Sequence, residues 1–290
     1  MDGGPSYPRC YATIFFNDTS GGTAARRSFV LDIAMARLWV TRMLNLTSLP
    51  IFVLFNREND VGSVLAPWLS SEQLVLRQVL PVIVNPKGTH SWYRLTHTKF
   101  QAWGLHRQCG QVALLDYDGI PLQRMDPYIF DACGSAALCG VVDWVTPVNQ
   151  KVRQHYMNTG CLVLRPSPAY HEYLLREAAL DAGRKNARYF AEQGFFRERR
   201  IPWKRLAGGF NVQAGLLKRR WSLNTLPPVD VNTSDFFLHK KFFEVPGPVQ
   251  KRLGLRDCSG PPSLATGRCY MSLQASSARA KRVGGQTSKS

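Results

Sequence analysis

Short runs of apolar, β-branched and aromatic residues return along this chain at 11–16, 51–55, 80–84, 111–115, 137–142 and 160–164. Runs this short, with little polar alternation, suit strands buried on both faces. Between and after them lie 28–44, 65–79, 92–106, 169–181 and 191–199, dense enough in apolar residues for helices packed on a sheet. The alternation predicts an α/β fold with a mainly parallel sheet flanked by helices. A length of 290 residues suits one such domain. The expected organisation is a Gly/Pro-rich lead over 1–10, a domain over 11–250, and a basic tail over 251–290 whose composition predicts disorder.

Composition narrows the functional classes. No apolar run approaches the ~20 residues of a membrane span, and the first residues lack the charged start and apolar stretch of a secretion signal. The seven cysteines, Cys10, Cys109, Cys133, Cys139, Cys161, Cys258 and Cys269, are odd in number and scattered. That pattern reads against a disulfide framework, a zinc site and a dithiol redox motif, and for a reducing, cytoplasmic location. Asn17, Asn45 and Asn232 each begin an Asn-x-Ser/Thr triplet, which has no consequence in such a compartment. Of the net charge of +17, the stretch 250–290 carries +7 and the stretch 183–220 carries +9. The remainder is nearly neutral, so the charge is a local feature.

The strongest local signal is Leu114-Leu115-Asp116-Tyr117-Asp118, an apolar strand running into two carboxylates. In an extended segment the two would point to one side and share a cation, at the strand end where open α/β sheets bind ligands. Oxygen ligands suit magnesium or manganese, and an imidazole from His239 after the run Phe236-Phe237-Leu238 would favour manganese. Asn158-Thr159-Gly160 places an amide and a hydroxyl at a strand entrance. Glu192-Gln193-Gly194 places a carboxylate and a carboxamide at a helix start. Each is ordinary alone; their order is not.

Taken together, these elements resemble the glycogenin and galactinol synthase family, glycosyltransferase family eight, over about residues 11–246. Tyr11-Ala12-Thr13 with Asn17-Asp18 is similar to the family's first strand and nucleotide turn. Thr98-Lys99-Phe100 is similar to its Thr-Lys-Leu helix, and Asp116-Tyr117-Asp118 to its metal motif. Met157-Asn158-Thr159-Gly160 resembles its Phe-Asn-Ser-Gly strand, Ala191-Glu192-Gln193 its Asp-Gln segment, Phe210-Asn211 its Tyr-Asn, and His239 its late metal histidine.

The resemblance implies a single GT-A domain with a Rossmann-like mixed sheet, acting as a metal-dependent hexosyltransferase that retains anomeric configuration. The donor would be a UDP-sugar and the cofactor manganese or magnesium held by Asp116, Asp118 and His239. Donor contacts would come from Thr13, Asn17, Lys99, Asp116, Tyr117, Asp118, Thr159, Gly160, Gly194 and Asn211. Gln193, Glu192 and Asn158 would face the reacting carbon. No tyrosine stands between Asn211 and His239, so an external acceptor is expected rather than self-glycosylation. The surplus of positive charge over 183–220 suggests an anionic one. Val245-Pro246 stands where the family has lysine and proline, which leaves a nucleotide-sugar-binding protein of little turnover as the alternative. The basic runs beside Trp203 and Trp221 raise a nucleic-acid binder, although no nucleic-acid motif accompanies them.

Overall fold

The computed structural model describes residues 4–15, 36–56, 65–84, 91–143, 156–182, 191–213 and 237–239. The apolar runs become the centre of a seven-stranded sheet. Its strands are β1 (Tyr7–Phe15), β2 (Ile51–Phe55), β3 (Leu74–Gln78), β4 (Cys109–Leu115), β6 (Leu138–Val142), β7 (Met157–Leu164) and the two-residue β8 (Lys204–Arg205), in the order β3-β2-β1-β4-β7-β6-β8. Strands β3, β2, β1 and β4 run parallel, whereas β7 lies antiparallel between β4 and β6. The sheet is therefore mixed, with a parallel half and an antiparallel insertion. A second small sheet joins β5 (Ile120–Pro121), β10 (Phe237–His239) and β9 (Val212–Gln213).

Period-two alternation sorts β1 between two cores. Tyr11 and Phe15 face a cluster with Trp39, Val40 and Met43 of helix α1 (36–46) and with Ile129 and Phe130 of α2 (Tyr128–Cys133). Cys10, Ala12 and Ile14 face the other cluster. It is filled by Phe100 and Trp103 of the 3-10 helix Ser91–Leu105, Leu174 of α3 (Pro168–Ala182), and Phe195 and Phe196 of α4 (Ala191–Glu198). Helices thus cover both faces. Phe100 meets Phe195 at 4.9 Å and Phe196 at 5.6 Å between ring centroids, which fixes the 3-10 helix against α4.

The structure departs from several expectations. The predicted helix over 65–79 is instead a short helical turn at Ala66–Trp68 followed by strand β3, in register with β2 from Ile51↔Leu74 to Phe55↔Gln78. This strand lies at the sheet edge and is only half-buried, so it lacks the continuous apolar signature of its neighbours. The predicted strand at 80–84 is irregular. Its backbone bonds to helix side chains instead, the Val82 amide to Thr98 Oγ1 at 3.1 Å and the Leu80 carbonyl to Gln101 Nε2 at 2.9 Å. Finally, cysteines are bridged: Cys10 with Cys109, joining β1 to the start of β4, and Cys133 with Cys139, joining the end of α2 to β6. Partners 99 residues apart cannot be recognised from spacing, and the reducing compartment inferred from the cysteine count loses its basis. Strand β1 also begins at Tyr7, inside the expected lead. No helix of the described residues is long and apolar enough to cross a membrane.

Candidate active site

Parallel strands β1, β2 and β4 end on one edge of the sheet, and there the chain leaves β4 at Asp116. The expected extended Asp116–Asp118 segment is a turn: the Gly119 amide donates to the Asp116 carbonyl at 3.1 Å. Tyr117 packs edge-on against Phe15 at 5.3 Å. Together with Thr13, Val40, Val53 and Leu65 these two rings line an apolar slot at the strand ends. Thr13 Oγ1 is buried there and makes no hydrogen bond to the described residues.

Asp116 does not stand in water alone. Lys99, from the 3-10 helix, approaches its carboxylate at 2.8 and 2.9 Å and lies 2.7 Å from Glu192 Oε1 of α4. The same ammonium reaches the Thr159 carbonyl at 3.3 Å, and the Thr159 hydroxyl donates to Glu192 at 2.5 Å. Lys99 and Glu192 are both buried. Burial opposes the charge of each, but the two carboxylates outweigh it and raise Lys99 above the ordinary lysine value. For Glu192 burial is likewise outweighed, by Lys99 and the Thr159 hydroxyl, and its value falls below the ordinary glutamate range. Two residues earlier, His97 is pushed down to about 4 by burial and packs as a neutral ring against Phe100 and Phe195.

A bulge delivers Thr159. The register of β6 on β7 jumps from Gly140↔Leu162 to Val141↔Asn158, so residues 159–161 of β7 bow out. Asn158-Thr159-Gly160 is thus an interruption inside a strand rather than a turn before one. Asn158 Oδ1 accepts from the Gly160 amide at 2.9 Å and from Asn211 Nδ2 at 2.8 Å, and the Gly160 carbonyl accepts from the Asp116 amide at 2.9 Å. Asn211, which follows the turn Gly208–Phe210, is therefore tied to Asn158, which is linked through Gly160 to the Asp116–Gly119 turn.

Gln193 sits one residue beyond Glu192 and is less buried. Its nitrogen donates to Asp143 Oδ2 at 2.7 Å and to the Met157 carbonyl at 3.2 Å. Both partners are acceptors, so the nitrogen must face them and the carboxamide oxygen points away. Asn158 Nδ2 also approaches Asp143, at 3.4 Å. Asp143 is buried immediately after β6 and escaped the sequence reading. Its signal was available: an apolar run, 138–142, ending on a carboxylate, the same signature as Asp116 after β4. Gly194 lies buried in α4.

Asn17 lies outside the described residues. The backbone of His239 is placed: Leu238 pairs with Ile120 of β5, two residues after Asp118, and His239 pairs with Gln213 of β9. The late strand thus runs beside the Asp116–Gly119 turn. Among the described residues no three His, Cys, Asp or Glu side chains converge as a metal cluster. Part of the basic stretch 183–220 also has structural partners. Arg199 bonds Glu177 at 3.1 Å and both oxygens of buried Asp181 at 2.9 Å, and Arg197 lies over the Tyr156 ring at 5.4 Å.

No protein-family model and no curated protein matches the sequence. The fold, however, is similar to solved glycosyltransferases. The galactosyltransferase LgtC, in complex with donor and acceptor sugar analogues, superposes with a TM-score of 0.57 over 92% of this chain and 95% of that one, at 13% identity. Mouse xyloside xylosyltransferase 1 gives 0.52 over 81% of this chain and 98% of that one, at 13% identity. GlyE of Streptococcus pneumoniae TIGR4 gives 0.55 over 92% and 64%, also at 13% identity. The chain has the α/β fold of the GT-A glycosyltransferases, a seven-stranded mixed sheet flanked by helices.

Proposed function

We propose that this chain is a retaining, metal-dependent glycosyltransferase that moves a hexose from a UDP-sugar to an external acceptor. The observation that carries the reading is the convergence, at the carboxyl end of β4, of Asp116, Lys99, Thr159, Glu192 and Gln193 from segments far apart in sequence. Such a buried charged cluster is expensive to fold and is what a site handling a diphosphate needs.

Two carboxylates and an imidazole form a donor set that fits manganese, and the β5–β10 pairing supports Asp116, Asp118 and His239 as its holders. Bound there, the cation would supply Lewis-acid stabilisation of the departing diphosphate. The residues of the chain do the remainder. Lys99 holds a positive charge beside that position, and Glu192 with Thr159 keeps it charged and oriented. The carboxamide oxygen of Gln193, turned away from its Asp143 and Met157 anchors, faces the carbon that gains positive charge as the bond to the donor breaks. Asn158 and Asn211 hold the bulge under the sugar. Thr13, Tyr117, Asn17, Gly160 and Gly194 complete the donor contacts. The net charge of +9 over 183–220 favours an anionic acceptor.

The test is a panel of UDP-sugars assayed for hydrolysis and transfer with and without manganese. Turnover of one or more donors that requires the cation supports the proposal. Donor binding without turnover would leave a nucleotide-sugar-binding protein.

A further inference from the structure

We propose that Asn45 is an N-glycosylation site and that the chain matures in an oxidising compartment, a reading independent of the reaction proposed above. Cys10 and Cys109 are both buried, with Cα atoms 6.0 Å apart, and Cys133 and Cys139 stand 5.8 Å apart. Both separations lie within the range that bridges occupy without backbone movement. Cys161 is the free thiol among the described residues. Two buried bridges that join separate elements of the core persist where thiols are oxidised, whereas the cytosol keeps such pairs reduced.

In that setting the triplet Asn45-Leu46-Thr47 changes meaning, because Asn-x-Thr is the acceptor signal for N-linked oligosaccharide in secretory compartments. The fold is compatible with an occupied site. Asn45 is exposed near the end of α1, and its Nδ2 donates one hydrogen bond to the Thr41 carbonyl at 2.9 Å. A carboxamide nitrogen carries two hydrogens. Glycosylation replaces one, and the other is enough to keep the bond to Thr41.

Thr47, by contrast, is buried, and its hydroxyl accepts the Leu49 amide at 3.1 Å. A transferring enzyme cannot read that hydroxyl in the folded chain, so modification precedes folding of this segment. In the step itself, the Asn45 nitrogen forms a bond to the anomeric carbon of an oligosaccharide carried on a lipid diphosphate. The carbon–oxygen bond to the diphosphate breaks, the diphosphate leaves with the bonding pair, and the amide gives up one proton to solvent.

The position also spares the candidate active site. Helix α1 ends just before β2, and the Pro50 carbonyl accepts the Tyr11 amide at 2.9 Å, at the amino-terminal side of the parallel strands. Asp116 follows the carboxyl end of β4, on the opposite edge. A glycan on Asn45 therefore projects away from the donor site. The Asn17 and Asn232 triplets lie outside the described residues.

The test uses the full chain isolated from its own cells, with thiols alkylated at lysis, digested without reductant and read by mass spectrometry. The expected result is linked peptides for Cys10–Cys109 and Cys133–Cys139, and an Asn45 peptide carrying a glycan that peptide N-glycanase removes with conversion of Asn45 to aspartate. Alkylated Cys10 and Cys109 would overturn the compartment, and bridged cysteines with unmodified Asn45 would overturn the site. An Asn45→Gln chain expressed in the same cells is expected to lose the glycanase-sensitive mass at this position while donor hydrolysis stays unchanged; persistence of that mass would contradict the assignment.

Discussion

Lys99 Nζ lies 2.7 Å from Glu192 Oε1 although the two residues are 93 positions apart, and the same nitrogen lies 2.8 Å from Asp116 Oδ1. One cation therefore joins the turn after β4 to the start of α4, within a site from which water is largely excluded. Removing it leaves two carboxylates facing each other. Lys99→Met is expected to destabilise the fold by about 3–5 kcal/mol in guanidinium unfolding, because a buried charge is left uncompensated. Lys99→Met with Glu192→Gln is expected to recover part of that loss. A single-variant effect below about 1 kcal/mol, the worth of an exposed pair, would show that this ion pair does not hold the two elements together.

Glu192 sets a pH dependence of stability. Its folded value is depressed below the ordinary 4.5, with burial opposing and Lys99 prevailing. The folded state thus binds the proton less readily than the unfolded chain. Its contribution is complete above pH 4.5 and is lost as pH falls through the lower folded value. Unfolding of the metal-free chain followed from pH 6 downward should show a loss in acid that Glu192→Gln diminishes. Parallel curves for the two proteins would remove Glu192 from the linkage.

Asp143 is expected to act through Gln193. Asp143→Ala frees the Gln193 nitrogen from its shorter anchor, so the carboxamide can turn, and turnover is expected to fall about 100-fold with little change in donor KM. Asp143→Asn retains an oxygen that can accept from Gln193 and is expected to restore much of kcat. A purely structural role would instead lower stability and leave the turnover of the folded fraction intact.

The arginines of the 197–200 stretch are expected to separate. Arg199→Gln leaves buried Asp181 without its paired hydrogen bonds and should destabilise the fold by about 3 kcal/mol or more. Arg200 is exposed, and Arg200→Gln should change stability by less than about 0.5 kcal/mol. Thermal unfolding of the two variants checks this. Any change in the salt dependence of the acceptor constant should follow Arg200, since Arg199 is already neutralised within the fold.

Much of the sheet was legible because its central strands are buried on both faces and read as unbroken apolar runs. Residues 51–55 and 111–115 show this directly. Edge strand β3 was not, because half-burial gives it a mixed pattern that helices also show. The charged members of the candidate site, Asp116, Lys99 and Glu192, stood out in the sequence through a strand end and motif order, and the fold brings the three together. Their pairing was not legible: that Lys99 binds both Asp116 and Glu192 depends on the Phe100–Phe195 contact that docks the 3-10 helix on α4. The turn at Asp116–Gly119 and the bulge at 159–161 are local departures from strand geometry, and alternation rules assume their absence. The bridges were hidden for the same reason, since Cys10 and Cys109 meet only because β1 and β4 are neighbours in the sheet.

The most direct measurement is donor hydrolysis against manganese concentration for the natural chain and for Asp118→Ala and His239→Ala, with folding checked by circular dichroism and manganese affinity by titration. The expected result is cation-dependent cleavage of a UDP-sugar by the natural chain and none by folded Asp118→Ala. Manganese binding by His239→Ala should be weaker by about 10-fold or more. Cleavage that is indifferent to manganese, or an Asp118→Ala chain as active as the natural one, would contradict it.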